Sequence, residues 1–202
     1  MTDLAGRIAE KLEKKLFVEM EASGRHVHLT EEDALTLFGH GLTEKAPLSQ
    51  PGQYVCRERV ALQGPKGTLE RVAVLGPARR ESQVEISLTD AVALGIQPPV
   101  NLSGDLTNAA PITIIGETGQ VQLASGVICA KRHLHMTPED AALHGVKHGG
   151  TVSVRAMTDR PVVFCDVAVR VSDKFSTRLH LDYDEANACG YRKGDLGMII
   201  HE

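Results

Sequence analysis

The sequence predicts a mainly β protein with short helices, arranged as two related β-barrel domains with a shared interface. Three observations lead there. Apolar runs are short and punctuated by turn residues, as in Arg59–Leu62 and Leu69–Leu75 around Gly64-Pro65-Lys66-Gly67. That pattern favours barrels over a parallel α/β sheet. A ten-residue stretch recurs about 107 residues on: Arg25-His26-Val27-His28-Leu29-Thr30-Glu31-Glu32-Asp33-Ala34 returns as Arg132-His133-Leu134-His135-Met136-Thr137-Pro138-Glu139-Asp140-Ala141. Two fainter copies begin at Glu85 and His180. Aligned on His28, Glu85, His135 and His180, all four units carry an acid five positions on and Ala six positions on. Each unit reads as a strand that turns into a short helix, because Ser, Thr or Asp ahead of acidic and small apolar residues is a helix N-terminus.

In chain order, residues 2–16 read as an amphipathic helix with Leu4, Ile8 and Leu12 on one stripe among Lys11, Lys14 and Lys15; Thr2 and Asp3 suit its start. It either caps the fold or docks onto another surface. Phe17–Ala22 is a strand that enters the first His pair. The helix from Glu31 to Phe38 ends near Gly39-His40-Gly41, and a loop-rich insert at about 38–57 follows, in which Tyr54 and Val55 fit a small hairpin. Gly76-Pro77-Ala78-Arg79-Arg80 is a tight turn carrying two cations into the strand Gln83–Ser87, with a helix behind it through Leu94. Pro98–Thr107 is polar and irregular. Strands are expected at Ile112–Ile115, Val121–Leu123 and Val127–Ala130. After the second His pair come helix 138–144, strands Thr151–Arg155, Val162–Val171 and Thr177–Leu181, a last short helix ending by Gly190, and strand Met198–Ile200. The domains are therefore 1–16 as the N-terminal helix, 23–130 as the first barrel, and 131–202 as the second, completed by strand 17–22.

Composition excludes several functions. The chain has no Trp, 3 % aromatic residues and a formal net charge of −4, which argues against general nucleic-acid binding. No apolar run reaches membrane-spanning length, and no secretory signal is expected. Cys56, Cys129, Cys165 and Cys189 are scattered, without a Cys-x-x-Cys, so free thiols in a reducing compartment are the simplest reading. No phosphate-loop, dinucleotide or nucleophile-elbow motif occurs.

The chemistry sits on the repeat. Residues i and i+2 of a strand share a face, so His-x-His presents two imidazoles side by side. His26, His28, Glu85, His133, His135 and His180 are the candidate metal ligands. Five imidazoles and one carboxylate exceed one catalytic zinc and suit two ions with about three protein ligands each; nitrogen-rich ligation favours zinc, with other divalent transition metals possible. Such a centre keeps positive charge and can hold a phosphate or polarise a carbonyl. Arg79 or Arg80 can reach an oxyanion there through a planar two-donor fork. Ser103 and Asn101 are possible phosphate donors. Arg25 and Arg132 should face away from the histidines and partner carboxylates.

Ser23-Gly24-Arg25-His26-Val27-His28-Leu29, Leu75-Gly76-Pro77-Ala78-Arg79 with Gln83-Val84-Glu85-Ile86-Ser87, Arg132-His133-Leu134-His135-Met136 and Asp184-Glu185-Ala186-Asn187-Ala188 resemble the PduL-type phosphotransacylases (phosphate propanoyltransferases) of bacterial microcompartments. The resemblance runs from about residue 20 to the end. It implies a reversible conversion of acyl-CoA plus phosphate to acyl phosphate plus CoA, with propanoyl or acetyl as the acyl group. It also implies two β-barrels with a di-zinc site between them, metal ligation by the six residues above, phosphate binding by catalytic Arg79 and by Ser103, and a homodimer or higher homo-oligomer. The implied location is the bacterial cytoplasm, in a microcompartment lumen, with residues 1–16 as an encapsulation peptide meeting shell or core proteins. A di-zinc hydrolase of a phosphoester or thioester, and a non-catalytic metal-binding shell adaptor, are the competing readings.

Overall fold

The computed structural model describes residues 4–200. The chain divides into two compact units, residues 24–131 and residues 1–23 with 132–202.

In the unit 24–131, strands β2 (His26–His28), β4 (Tyr54–Gln63), β5 (Thr68–Gly76), β6 (Gln83–Ile86), β8 (Ala110–Ile115) and β9 (Gln120–Ala130) form a closed ring in the order β4-β5-β2-β6-β9-β8. Strand β3 (Glu44–Pro47) adds to β4 and the two-residue β7 (Val100–Asn101) to β9. In the other unit, β1 (Phe17–Ser23), β10 (His133–Met136), β11 (Thr151–Ala156), β12 (Val163–Val171), β13 (Arg178–Asp182) and β14 (Leu196–Ile200) close in the order β1-β13-β10-β12-β11-β14. The mainly β, two-barrel architecture is thus the one the sequence predicts.

The rings share a plan. Each His strand pairs parallel on one side, β2 with β5 and β10 with β12, and antiparallel on the other, β2 with β6 and β10 with β13. Beyond that, β6 pairs parallel with β9, and β13 with β1. The strand leading into each His pair therefore closes the ring that does not contain that pair. Closure removes the free edges that an open sheet would expose. Two strands expected at Val121–Leu123 and Val127–Ala130 are one continuous strand, β9: its middle residues are exposed, and the backbone pairing with β8 continues past them.

Strand alternation separates core from site. Val27 lies between His26 and His28 and packs with Leu29, Leu37, Leu62, Val74 and Leu94. Leu134 lies between His133 and His135 and packs with Met20, Met136, Leu179 and Leu181. The histidines take the opposite strand face, and all four are buried nonetheless.

Four helices leave the sheets by one local device. The N-caps Thr30, Ser87, Thr137 and Asp182 start α2 (Glu31–Phe38), α3 (Leu88–Leu94), α4 (Pro138–Leu143) and α5 (Tyr183–Ala188). Each cap side chain accepts from the backbone N–H three residues on, at Asp33, Asp90, Asp140 and Glu185. The following alanines, Ala34, Ala91, Ala141 and Ala186, are buried. The chain turns out of each helix at a left-handed glycine, with φ of 74°, 76°, 66° and 65° at Gly39, Gly95, Gly145 and Gly190. The repeat spacing in the sequence is this geometry.

The acids five positions on serve two purposes. Asp90 pairs with Arg25 at 2.9 Å, and Glu185 with Arg132 at 2.5 Å. Each arginine ties the start of a His strand to the helix leaving the strand opposite. Asp33 and Asp140 instead accept from Ser82 and Thr177, whose hydroxyls receive the cap residues' backbone N–H groups, Thr30 at 2.9 Å and Thr137 at 3.2 Å. Both devices join neighbouring strands where the candidate ligands sit.

Helix α1 (Leu4–Leu16) runs directly into β1. Leu12 and Leu16 are about half exposed; Thr2, Asp3 and the side chains of Leu4, Ile8 and Lys11 lie outside the described residues. No helix among the described residues is long and apolar enough to cross a membrane.

Candidate functional site

The strand register brings the six candidate ligands into two clusters, one per unit. In the unit 24–131, His26 lies opposite Glu85, and His28 opposite Gln83. The Nδ1 of His26 is 2.8 Å from the Gly24 carbonyl oxygen, which leaves its Nε2 free to face Glu85. His26 Nε2 stands 3.6 Å from Glu85 Oε2 and His28 Nε2 3.9 Å from Glu85 Oε1. These separations exceed a hydrogen bond. They approach the spacing of about 3.4 Å between two donors on one tetrahedral zinc. All three side chains are buried, and one ligand atom from each lies within 4.8 Å of the others.

The electrostatics also suit a cation. Burial, then the neighbouring His26 and Arg79, lower the titration of His28 to about 2, so it is a neutral donor. Burial opposes ionisation of Glu85, yet His26 and His28 outweigh it and hold the carboxyl well below the usual range. Burial opposes charge on His26 as well, and the Glu85 carboxylate prevails and raises it. The buried Glu85 carboxylate is balanced by charge on His26, and a metal ion that took the place of that proton would fit the donors present.

Arg79 adjoins this cluster. Its backbone N–H donates to the Leu29 carbonyl at 2.8 Å, which fixes the turn beside the end of β2. Its guanidinium donates to Ser103 Oγ at 3.1 Å. Gln83 Nε2 donates to the same Ser103 oxygen at 3.1 Å and to Glu85 Oε1 at 2.6 Å, while Gln83 Oε1 accepts from the Gly104 backbone at 2.8 Å. Arg79, Ser103, Gln83 and Glu85 are therefore one hydrogen-bonded chain. Gln83 is absent from the sequence-derived site; its signal was its place two residues before Glu85 on the same strand face. Close packing shapes the turn as well: a Cβ on Gly76 would lie 2.3 Å from the Tyr54 ring.

Two weaker candidates fall elsewhere. Asn101 spends its amide on the carbonyls of Asp105 at 3.1 Å and Thr107 at 2.9 Å, so it holds the Ser103 loop instead of facing a ligand. Arg80 is exposed.

In the other unit, His133 lies opposite His180, and His135 lies between Arg170 and Arg178 on the neighbouring strands. The His133 and His180 rings stack 5.1 Å apart at 6°, and the His135 ring stands 4.6 Å from His133 and 4.9 Å from His180. Their ligand atoms also lie within 4.8 Å of one another. Phe175 packs on His135 with ring centres 4.2 Å apart, and the Arg170 guanidinium lies 5.8 Å from the Phe175 ring centre. Arg178 pairs with Glu19 at 2.9 Å. Three imidazoles at this spacing form a nitrogen-only donor set of the kind that zinc takes.

The four cysteines are free thiols, and Cys165 is exposed. Cys56, Cys129 and Cys189 are buried, and burial, then the Glu58 carboxylate, push the Cys56 thiol up to about 11.

A family model described as phosphate propanoyltransferase matches residues 19–192. A phosphate propanoyltransferase of Clostridioides difficile (strain 630) is 50 % identical over 202 residues, covering 99 % of this chain and 97 % of the relative. One of Listeria monocytogenes is 50 % identical over 202 residues, covering 99 % and 95 %. One of Thermotoga maritima is 48 % identical over 196 residues, covering 96 % and 93 %. With the match spanning both His pairs, Arg79, Glu85 and His180, the chain belongs to the phosphate propanoyltransferase family and is a phosphate acyltransferase.

Proposed function

We propose that the protein interconverts acyl-CoA plus phosphate with acyl phosphate plus CoA by direct transfer, on propanoyl or acetyl groups. The observation that supports this reading is the hydrogen-bonded chain from Arg79 through Ser103 and Gln83 to Glu85, which sets a guanidinium beside a buried group of residues able to hold a metal ion.

His26, His28 and Glu85 would hold one zinc or similar ion, and His133, His135 and His180 a second. Held there, such ions would supply positive charge able to polarise a carbonyl or phosphate oxygen. Arg79 holds the phosphate dianion with paired donors, and Ser103 fixes the fork. Gln83 orients Glu85, so the carboxylate keeps its aim while substrates exchange. With phosphate held, one of its oxygens attacks the thioester carbonyl carbon; the C–O bond forms, the C–S bond breaks, and CoA leaves as thiolate. No side chain is acylated in this scheme.

The test is exchange. Purified protein incubated with propanoyl-CoA should release CoA only when phosphate is present, with equimolar propanoyl phosphate. CoA release at the same rate without phosphate would overturn this reading in favour of a hydrolase.

We also propose that the protein works as a homodimer or larger homo-oligomer inside a bacterial microcompartment, with residues 1–16 docking on shell or core proteins. The exposed Leu12 and Leu16 support that use of α1. Deleting residues 1–16 is expected to leave turnover and melting temperature near wild type and to abolish recruitment, read by co-sedimentation with shells. Deleting residues 1–22 is expected to unfold the unit, because β1 carries the buried Val18 and Met20 into its ring.

A further inference from the structure

The two ligand sets differ in charge. His26, His28 and Glu85 include one carboxylate, whereas His133, His135 and His180 include none. The strand beyond supplies the difference. In the parallel pairing of β6 with β9, Glu85 lies beside Ile128; in the equivalent pairing of β13 with β1, His180 lies beside Glu21. Both are five residues before the first histidine of a pair. One position of the repeat thus holds a fully buried apolar residue in one unit and a carboxylate in the other.

Glu21 Oε2 stands 3.8 Å from His180 Nε2. That is too long for a hydrogen bond and falls within the 3.6–3.9 Å range over which Glu85 faces His26 and His28. Glu21 stands beside His180 but outside the 4.8 Å cluster of His133, His135 and His180, so ligation requires its 31 % exposed side chain to turn toward the ion. We infer that Glu21 is the carboxylate ligand of the metal held by His133, His135 and His180, so that each ion has one anionic protein ligand, drawn from β6 in one unit and from β1 in the other. This rests on the metal-binding reading of the three histidines.

Zinc content by elemental analysis and zinc affinity by chelator competition test it, on the full chain and on Glu21→Gln and Glu21→Asp. Wild type should bind two ions. Glu21→Gln should weaken one of them about tenfold to a hundredfold and leave the other unchanged. Cobalt-substituted Glu21→Gln should show a changed visible absorption band, because an oxygen donor has left the ion. Glu21→Asp keeps the charge but is one methylene shorter, and should also lose affinity. Wild-type affinities and cobalt spectrum in Glu21→Gln, with two ions bound, would overturn the role of Glu21 alone. Full recovery in Glu21→Asp would overturn ligation, since charge without reach would then suffice. A wild-type chain that binds no transition metal removes the site and this inference together.

Discussion

His135→Ala is expected to bind one metal ion in place of two and to lose on the order of a hundredfold or more in turnover. Even outer groups that merely orient a ligand cost about 10–100-fold when removed, and a ligand should cost no less. The barrels should remain folded. His135 points away from the core, which Leu134 and Met136 fill from the same strand, and the backbone pairing of β10 with β12 and β13 does not depend on its ring. Leu134→Ala is the matching control. It opens a cavity in the ring interior and should cost about 2–5 kcal/mol of stability by denaturant titration, while the ion stays bound. Unchanged metal content in His135→Ala would remove this residue from the ligand set.

The second large effect is expected at Arg79. Arg79→Ala should lose about a hundredfold in turnover with phosphate, equivalent to about 2.7 kcal/mol of transition-state stabilisation. The loss should fall on the phosphate dependence more than on the acyl-CoA dependence. Arg79→Lys should recover part of it, since the ammonium keeps the charge and loses the fork. Metal content should hold, because Gln83 still orients Glu85 when the guanidinium is gone. Arg80→Ala, an exposed neighbour on the same turn, should behave as wild type. Ordinary phosphate kinetics in Arg79→Ala would place phosphate elsewhere.

What the sequence by itself determined is local and periodic. His-x-His puts two rings on one strand face, and the cap two residues on, the acid at five and the buried Ala at six are steps of a strand entering a helix. These spacings repeat four times, so the four units with their candidate ligands, carboxylate partners for Arg25 and Arg132, and the mainly β class were legible without coordinates; that those partners are Asp90 and Glu185 was not. Only the tertiary structure decided what depends on cross-strand register, which carries no local signal. Register sets His26 against Glu85 and His133 against His180, brings Gln83 into the chain that joins Arg79 to Glu85, and lays Glu21 beside His180. It also runs β9 as one strand through the exposed Ala124 and Ser125, where two strands were expected. Asn101 turned out to brace the Ser103 loop because two backbone carbonyls close to its amide, a fold-dependent fact. Periodicity reports which face a residue takes; which residue meets it from the neighbouring strand is settled by long-range pairing, and in each closed ring that pairing assembles one candidate ligand set.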